Sequence, residues 1–428
     1  MILLAFTHAD IDAALWTIAV GLVCNLSCAL LGCFLVLRRM SLVGDAISHA
    51  VLPGIALAVL FTGQITSTYI LLGAMIFGML TAFLSESLNA FAGVSEDASL
   101  GIVFTSFFAL GVILISKVFA HTDLDPGCVF LGNLEMVPLD KVDWLGMWIP
   151  RAFPTMLLGL VLTAGFISLF WKELKLSSLD PALAAAMGFS PRLVHYLLIA
   201  LVAGVVVASF EAVGSILVIP LLIVPAATAH LLCDRLAWML AWSALLSITC
   251  TVLGYVLASR WLLNVNVGGM MASVALAQFF LAVLFAPRHG IVAKVLRTLW
   301  LSLRIASEDI LARLYRLEEK GTEAPTLTES NPWITRVALG QLRRRGWIRY
   351  QDGSWALTSS GRQPAASIVR AHRLWEAFLG EHFELPLDHL HAAAERMEHY
   401  LDPGLQSELA QALLEPQRDP HGKSIPPS

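Results

Sequence analysis

The sequence predicts an all-helical, polytopic membrane domain of eight or nine transmembrane helices, followed by a soluble, mainly helical domain with a winged helix and a second helical part. Hydropathy is the first observation: 57% of the 428 residues are hydrophobic and 14% are charged, and the mean hydropathy of +0.72 exceeds that of ordinary soluble domains. Charge distribution is the second. Of the 60 Asp, Glu, Lys and Arg residues, 25 lie in residues 1–286 and 35 in the 142 residues that follow.

Nine apolar stretches are long enough to cross a bilayer at about 20 residues each. They are residues 11–37, 42–62, 66–88, 98–117, 146–171, 193–209, 212–232, 236–258 and 262–285. Basic residues in the short connections are more numerous on one side, which we assign to the cytoplasm. The predicted location is therefore the inner (plasma) membrane, with the N-terminus outside and the tail in the cytoplasm. The basic residues on the cytoplasmic side are Arg38, Arg39, Lys172, Lys175, Arg192, Arg235, Arg288, Lys294 and Arg297.

Asp45 and His49 lie one helical turn apart inside the second apolar stretch. A carboxylate at the centre of a span costs about 2.5–3.5 kcal/mol on insertion scales, so an intramembrane ionisable pair indicates function. The alternative is a structural hydrogen-bonded pair. Carboxylate oxygen and imidazole nitrogen together suit Mn, Fe or Zn. Pro53, one turn further on, predicts a kink or break that frees backbone carbonyls beside the site.

Two more polar residues, Glu211 and His230, stand in apolar surroundings. Either could line the same transport pathway. Both lie close to predicted span ends, however, and the competing explanation is that the side chain extends to the water at the membrane interface. The external loop carries His121, Asp123 and Asp125, which could receive metal from a delivery protein or could simply be solvated.

One cytoplasmic connection, residues 178–191 (SLDPALAAAMGFSP), predicts a short and complete helix. Asp180 is suited to cap its N-terminus, Pro181 to occupy its first turn and Gly188 to end it. Helices of this kind are the elements through which importer permeases dock a separate ATPase. The alternative is a surface helix without a partner.

Three ordered motifs of the membrane part resemble the metal-type ABC transporter permease family: residues 38–54 (RRMSLVGDAISHAVLPG), the 180–188 segment, and 209–229 beginning SFEAVGS. The resemblance covers about residues 10–286. It implies import of zinc, manganese or iron by paired permeases, either two copies or a copy with a paralogue. It also implies a cytoplasmic ABC ATPase subunit and an extracytoplasmic metal-binding lipoprotein. The chain has no G-x-x-x-x-G-K-[ST] pattern, so we expect no ATP site here and ATP hydrolysis on a separate partner chain.

The tail begins with two amphipathic helices, near 308–321 and 331–346, followed by a probable hairpin around Asp352-Gly353. Helix, helix, hairpin is the order of a winged helix. Four arginines of the second helix could contact phosphates of operator DNA or merely solvate a helix end. They are Arg336, Arg343, Arg344 and Arg345.

Further on, residues 391–399 (HAAAERMEH) place four potential metal ligands within about a quarter turn of one helix face. The alternative is a solvated amphipathic helix, since Glu and His recur at such spacing by chance. Upstream, His372 and Glu376 form an i, i+4 pair, which favours the metal-site interpretation. The four residues of the face are His391, Glu395, Glu398 and His399.

The tail, over about residues 304–426, resembles the iron- and manganese-dependent repressors typified by the diphtheria toxin repressor. That resemblance implies a linker and winged-helix-like domain at 287–362 and a metal-binding and dimerisation domain at 363–428. It assigns His372, Glu376 and His391 to one metal site. It assigns Asp309, Glu395, Glu398 and His399 to another. Ala312 departs from the manganese-type pattern, where a Glu is expected, so a two-metal site can be incomplete.

Together these features predict the permease subunit of an ABC importer for manganese or iron, possibly zinc, fused to a cytoplasmic metal-sensing domain. The metal would be both substrate and effector. The alternative is a membrane-tethered, metal-dependent transcription regulator whose spans only sense. An intramembrane metalloenzyme has little support, because no HExxH motif occurs within a span.

Overall fold

The computed structural model describes residues 8–62, 67–118, 134–144, 147–260, 265–322, 332–351, 353–383 and 386–427. The chain divides into two compact units, Met1–Ala293 and Lys294–Ser428. The first unit is almost entirely helical. Its helices are α1 (His8–Leu37), α2 (Ser41–Thr62), α3 (Ser67–Ala92), α4 (Glu96–Val118), α5 (Ala152–Leu169), α6 (Trp171–Leu179), α7 (Pro181–Ala186), α8 (Pro191–Val213), α9 (Ser215–Leu232), α10 (Leu236–Arg260) and α11 (Val267–Phe285).

Eight helices of the described residues are long and apolar enough to cross a membrane, which confirms the predicted polytopic class. The remaining predicted span, residues 212–232, corresponds to α9, whose apolar part, Leu217–Leu232, is shorter and whose interior contains Pro220 and Pro225. Between α4 and α5 lie a 3₁₀ turn (Val137–Leu139) and the antiparallel hairpin β1 (Lys141–Trp144) and β2 (Met147–Pro150).

Helix α1 forms the centre of the first unit, with Leu31, Phe34 and Leu35 fully buried. It packs against α5, α9 and α10. Hydroxyl groups inside these apolar helices hydrogen-bond to backbone carbonyls one turn earlier, as Ser27 does to Val23 at 2.7 Å. Such bonds pair a hydroxyl within its own helix, which a low-dielectric environment favours. Four buried polar atoms of the described residues have no hydrogen-bond partner: Asn25 Oδ1, Thr163 Oγ1, Ser247 Oγ and Gln278 Oε1.

The second unit contains the predicted order of two helices and a hairpin. Its elements are α12 (Ile291–Lys320), α13 (Pro332–Arg344), β3 (Ile348–Gln351), β4 (Ser354–Leu357), α14 (Ser359–His382), α15 (Leu387–Met397) and α16 (Pro403–Ala412). Gly353 adopts a φ of +82° in the hairpin turn, a conformation for which glycine is favoured; Asp352 lies outside the described residues.

A core cluster joins the winged-helix elements: Ile310 and Leu314 of α12 pack with Leu342 of α13 and Ile348 of β3. A smaller cluster connects Leu374 of α14 to α16. Helix α14 therefore takes part in both clusters through its two halves, and it provides a rigid base for the polar residues that point from it towards α15.

Candidate metal centres

The Asp45–His49 pair occupies the first half of α2, with Asp45 Oδ1 3.4 Å from His49 Nε2. The side chains are 38% and 36% exposed, respectively, so the described part of the chain does not close this face of α2. The His49 ring stacks on Phe104, with centroids 6.0 Å apart, and meets Phe108 edge-on at 5.5 Å. Phe104 lies eight residues after the start of α4 at Glu96, which is about 12 Å along the helix. His49 therefore lies about two turns from the start of both α2 and α4, and Asp45 lies about one turn from the start of α2.

Small residues fix the position of α2. An added Cβ at Gly54 would overlap the carbonyl oxygen of Gly73 on α3, and one at Gly111 of α4 would lie 2.6 Å from the Leu52 Cβ. The expected break at Pro53 is wrong, since α2 continues to Thr62; the alternative, a kink, stays a prediction. The loss of one backbone hydrogen bond at Pro53 is compensated by close packing on both sides.

The other predicted pathway residues lie elsewhere. Glu211 falls in the last turn of α8, and its side chain lies outside the described set. His230 is exposed in the last turn of α9, where it lines a cavity of about 660 Å³ together with Lys175 and Asp234. Among the described residues, the lining of that cavity includes neither Asp45 nor His49. The loop residues His121, Asp123 and Asp125 also lie outside the described residues.

The short helix of the 178–191 connection is present as α7. The Asp180 side chain accepts a hydrogen bond from the Leu183 backbone N–H at 3.0 Å, and Pro181 occupies the first turn. Gly188 follows the helix with a φ of +86°. Leu183 and Met187 are exposed, so α7 presents apolar side chains outward.

In the tail, three donor atoms converge between α14 and α15 to form what we call the first tail centre. His372 Nε2 is 3.1 Å from Glu376 Oε1, His391 Nδ1 is 3.0 Å from the same oxygen, and the two ring nitrogens are 2.9 Å apart. Two ligands at about 2.1 Å from one metal ion and at right angles to each other lie about 3.0 Å apart. The three atoms therefore fit neighbouring vertices around a single divalent ion.

Glu398 fixes the orientation of the His372 ring. Its Oε2 lies 2.5 Å from His372 Nδ1 and also accepts a hydrogen bond from Arg316 at 3.1 Å. A proton on Nδ1 leaves Nε2 free to face Glu376 and His391, which is the carboxylate–histidine arrangement common behind metal ligands. Burial would lower the pKa of His372, but the contacts with Glu376 and Glu398 outweigh it and raise that pKa.

Glu376 is itself 3% exposed. Burial would raise the pKa of Glu376, yet hydrogen bonds from His372 and His391 lower it to about 2. The carboxylate is therefore ionised at every physiological pH and is available as a ligand. On its other oxygen it approaches His421, whose Nδ1 lies 3.6 Å from Glu376 Oε2.

The second tail centre is formed by Asp309, Glu398 and His399, whose donor atoms lie within 4.8 Å of one another. His399 Nε2 is 3.2 Å from Asp309 Oδ1, and His399 Nδ1 is 2.8 Å from Glu308 Oε2. Burial would lower the pKa of His399, but these two carboxylates raise it to about 9. Glu398 thus contributes to both centres, since it also holds His372.

Glu395 lies on the exposed surface of α15 and belongs to neither group of converging donors in the described part of the chain. Helix α15 ends at Met397, so Glu398 and His399 follow the helix rather than continuing its face. The four residues that share one arc on an ideal helix are therefore distributed over two centres, with Glu395 outside both.

Sequence reasoning missed Glu308, Asp419 and His421. Glu308 stands beside the predicted ligand Asp309 and carried no pattern of its own; only the approach of α12 to His399 reveals it. Asp419 Oδ1 accepts backbone hydrogen bonds from His421 and Lys423 at 3.0 and 2.8 Å, which shapes the turn that brings His421 to Glu376.

The four arginines suggested for DNA contact are all exposed at α13 and just beyond its C-terminus. Arg345 lies over the Trp347 ring, 5.2 Å from its centroid. The segment that precedes α13, residues 323–331, lies outside the described residues.

The family model described as the ABC 3 transport family matches residues 10–286, which is more than half of the chain. The chain belongs to the ABC 3 transport family. A manganese transport system membrane protein of Bacillus subtilis, MntD, is 45% identical over 285 residues, covering 66% of this chain and 96% of the relative. The zinc transport system membrane protein TroD of Treponema pallidum is 38% identical, covering 80% of this chain and 95% of that protein.

Among solved structures, PsaBC of Streptococcus pneumoniae in complex with a Fab resembles the membrane unit, with 33% identity, a TM-score of 0.54, and coverage of 66% of this chain and 94% of that one. A second family model, the iron dependent repressor metal binding and dimerisation domain, matches residues 358–427. The predicted combination of a metal-type permease with a repressor-like C-terminal domain is confirmed.

Proposed function

We propose that the protein is the membrane permease subunit of an ABC importer for a divalent transition metal, and that its tail binds the same metal as an effector. The observation that carries the transport proposal is the Asp45–His49 pair, which lies within an apolar spanning helix of a permease-family chain. Uncompensated charge within a span is costly, and passage of a divalent cation gives the carboxylate a partner.

Two donors are too few to strip water from a divalent cation, since Mn, Fe and Zn take four or more ligands. Because Asp45 and His49 remain more than a third exposed on α2, we propose that a second permease, a copy or a paralogue, closes this face and completes the ligand set. Glu211 and His230 remain proposed pathway residues.

Energy would come from an ABC ATPase subunit on a separate chain, docked at α7. The exposed Leu183 and Met187 beside the capped start of that helix provide an apolar contact for it. Metal would arrive from an extracytoplasmic metal-binding lipoprotein. With α9 counted as a ninth crossing, the tail and the N-terminus lie on opposite sides of the inner membrane. We assign the tail to the cytoplasmic side.

Manganese is the proposed metal, with iron and zinc as the other candidates. The tail centres offer only carboxylate and imidazole donors, a set that suits manganese and iron better than soft cations. The relatives named for manganese and zinc transport are consistent with this choice. As cytoplasmic metal rises, the tail would bind it and slow the permease.

Metal accumulation tests the transport proposal. In cells that carry the whole system, Asp45→Ala is expected to abolish ⁵⁴Mn accumulation. Ser48→Ala is the matched control, because the Ser48 hydroxyl is already bonded to the Gly44 carbonyl at 2.9 Å, and it should retain uptake. Full accumulation by Asp45→Ala at wild-type protein levels would refute the assignment.

Metal titration of the purified full-length protein tests the effector proposal. His372→Ala and His399→Ala should each remove one class of tail site while Asp45→Ala leaves both. Glu395→Ala is informative in its own right: lost affinity would mean that Glu395 turns inward when metal binds, and unchanged affinity would restrict the second centre to Asp309, Glu398 and His399.

Operator binding by the tail is a second candidate function, favoured by the exposed arginines at the end of α13 that precede the hairpin. We propose that they contact DNA phosphates when the tail carries metal. Metal-dependent, salt-sensitive retention of promoter DNA by the full-length protein, lost on combined Arg343→Gln and Arg344→Gln, is the expected result. If the full-length protein retains no promoter DNA while metal uptake is intact, the tethered-regulator interpretation is excluded.

A further inference from the structure

The first half of α12 is amphipathic, yet it lies outside the core of either unit. From Ile291 to Leu301 the described residues are exposed, with the sole exception of Ala293, and the buried positions of α12 begin only at Ala306. Trp300 is 63% exposed and Leu296 is 61% exposed. Isolated exposed apolar residues are ordinary, but a contiguous group indicates an interaction surface.

These apolar residues occupy one side of the helix. At 100° per residue they cover an arc of about 180°, and Leu301 is the one large apolar residue outside it. The opposite side carries basic residues. The arc consists of Ile291, Val292, Val295, Leu296, Leu299, Trp300 and Leu303, and the opposite side has Lys294, Arg297 and Arg304.

The charge of this segment has a single sign. No Asp or Glu occurs between Ala286 and Ser307. Lys294 and Arg297 are exposed on the polar side, whereas Arg304 is paired with Glu308 at 2.8 Å. Basic residues on one side, with Trp and Leu on the other, are typical of helices that lie in the plane of a membrane surface.

The segment is also tethered close to the bilayer. Spanning helix α11 ends at Phe285 and α12 begins at Ile291, so five residues connect them. Fully extended, five residues reach about 17 Å. Helix α12 therefore begins within about that distance of the end of the last spanning helix.

A second copy of the chain is a weaker occupant for this face. The seam of a two-stranded coiled coil is a narrow stripe, whereas this arc covers half of the helix. Two copies would also bring Lys294 and Arg297 together with no acidic residue of the segment to pair with them. Anionic phospholipid headgroups provide the complementary charge, and the acyl boundary accepts the broad apolar face.

We propose that residues 291–304 form an interfacial helix that lies on the membrane surface and binds anionic phospholipid. The apolar arc enters the boundary of the acyl chains, and Lys294 and Arg297 contact headgroup phosphates. The helix thereby joins the last span to the metal-binding tail through a surface contact rather than a free linker.

Fluorescence quenching on the full-length protein tests the proposal. Val295→Cys, inside the arc, and Leu301→Cys, outside it, are labelled with an NBD fluorophore, and the parent chain supplies the background. The proteins are placed in nanodiscs of phosphatidylcholine with or without 30% phosphatidylglycerol. Brominated acyl chains report membrane contact, and iodide reports contact with water.

With anionic lipid, brominated chains should quench position 295 at least threefold more than position 301, and iodide should quench it at least threefold less. Lys294→Gln with Arg297→Gln should reduce the lipid quenching at 295, and unchanged metal titration would show that the tail remains folded. Equal quenching at both positions would overturn the proposal. So would protection from iodide that is independent of lipid, accompanied by energy transfer between labelled copies, because that result indicates a dimer seam.

Discussion

We expect the protonation of His399 to make metal binding at the proposed second tail centre steeply dependent on pH. Burial alone would favour the neutral ring, but Asp309 and Glu308 hold the proton and raise the pKa of His399 to about 9. A ring nitrogen must lose its proton before it can bind a metal ion. Raising the pH from 7 to 8 is therefore the perturbation of choice.

The size of the effect follows from the neutral fraction of the ring. With a pKa of about 9, that fraction rises from about 1% at pH 7 to about 9% at pH 8, so the apparent affinity should rise about ninefold. A histidine at the usual value of about 6.5 would be mostly neutral already, and the affinity would rise only about 1.3-fold. About one proton should leave His399 for each ion bound at pH 7.

The assay is anaerobic calorimetric titration of the full-length protein with Mn²⁺. An Asp45→Ala, His391→Ala background disables the intramembrane pair and the first tail centre; His391 is 54% exposed, so its truncation should be tolerated. Buffers with different ionisation enthalpies give the number of protons released. A change in affinity below twofold from pH 7 to 8, with fewer than half a proton released, would refute the reasoning.

Three further predictions concern single groups. Glu308→Gln removes the negative charge beside the His399 Nδ1 proton but keeps an oxygen acceptor, so the pKa of His399 should fall. The rise in Mn²⁺ affinity from pH 7 to 8 should then flatten in the same titration, and an unchanged pH dependence would contradict this role. Gly54→Val should force α2 from α3 and lower the thermal stability by about 1–3 kcal/mol or more, whereas Gly101→Ala, with open space around its added methyl, should match wild type in the same thermal scan. The pKa of Glu376 is lowered from 4.5 to about 2, so its ionised carboxylate stabilises the folded, metal-free protein. That contribution, about 3 kcal/mol, should be present above pH 4.5 and lost as the pH falls through 2. Acid unfolding of Glu376→Gln should lack that loss.

The membrane part was predictable because hydropathy is a property of the local sequence. Each span is marked in the sequence by about 20 apolar residues. The structure differs from the predicted spans mainly at α9, where Pro220 and Pro225 lie inside a shorter helix. The capped start of α7 was predictable for the same reason, since Asp180 and Pro181 act within one turn. The consequence of Pro53 was not, because neighbouring helices determine whether a proline breaks a packed helix.

The tail shows the limit of helical periodicity. An ideal helix groups His391, Glu395, Glu398 and His399, but α15 ends at Met397 and the chain then turns. Glu398 consequently bonds to Nδ1 of His372. His399 contacts Glu308 and Asp309 of α12. Glu308 enters the site from a helix about 90 residues earlier in the chain, and no local pattern marks it.

The sequence alone therefore determined the membrane class, the order of the elements and the chemical type of the donors, because hydrophobicity and ligand chemistry belong to individual residues and their near neighbours. The tertiary structure decided which donors meet. It placed His372, Glu376 and His391 at mutual distances near 3 Å and gave His399 two carboxylates. The physical reason is that distances and pKa values in a site depend on the packing of separate helices, which no spacing along one chain segment specifies.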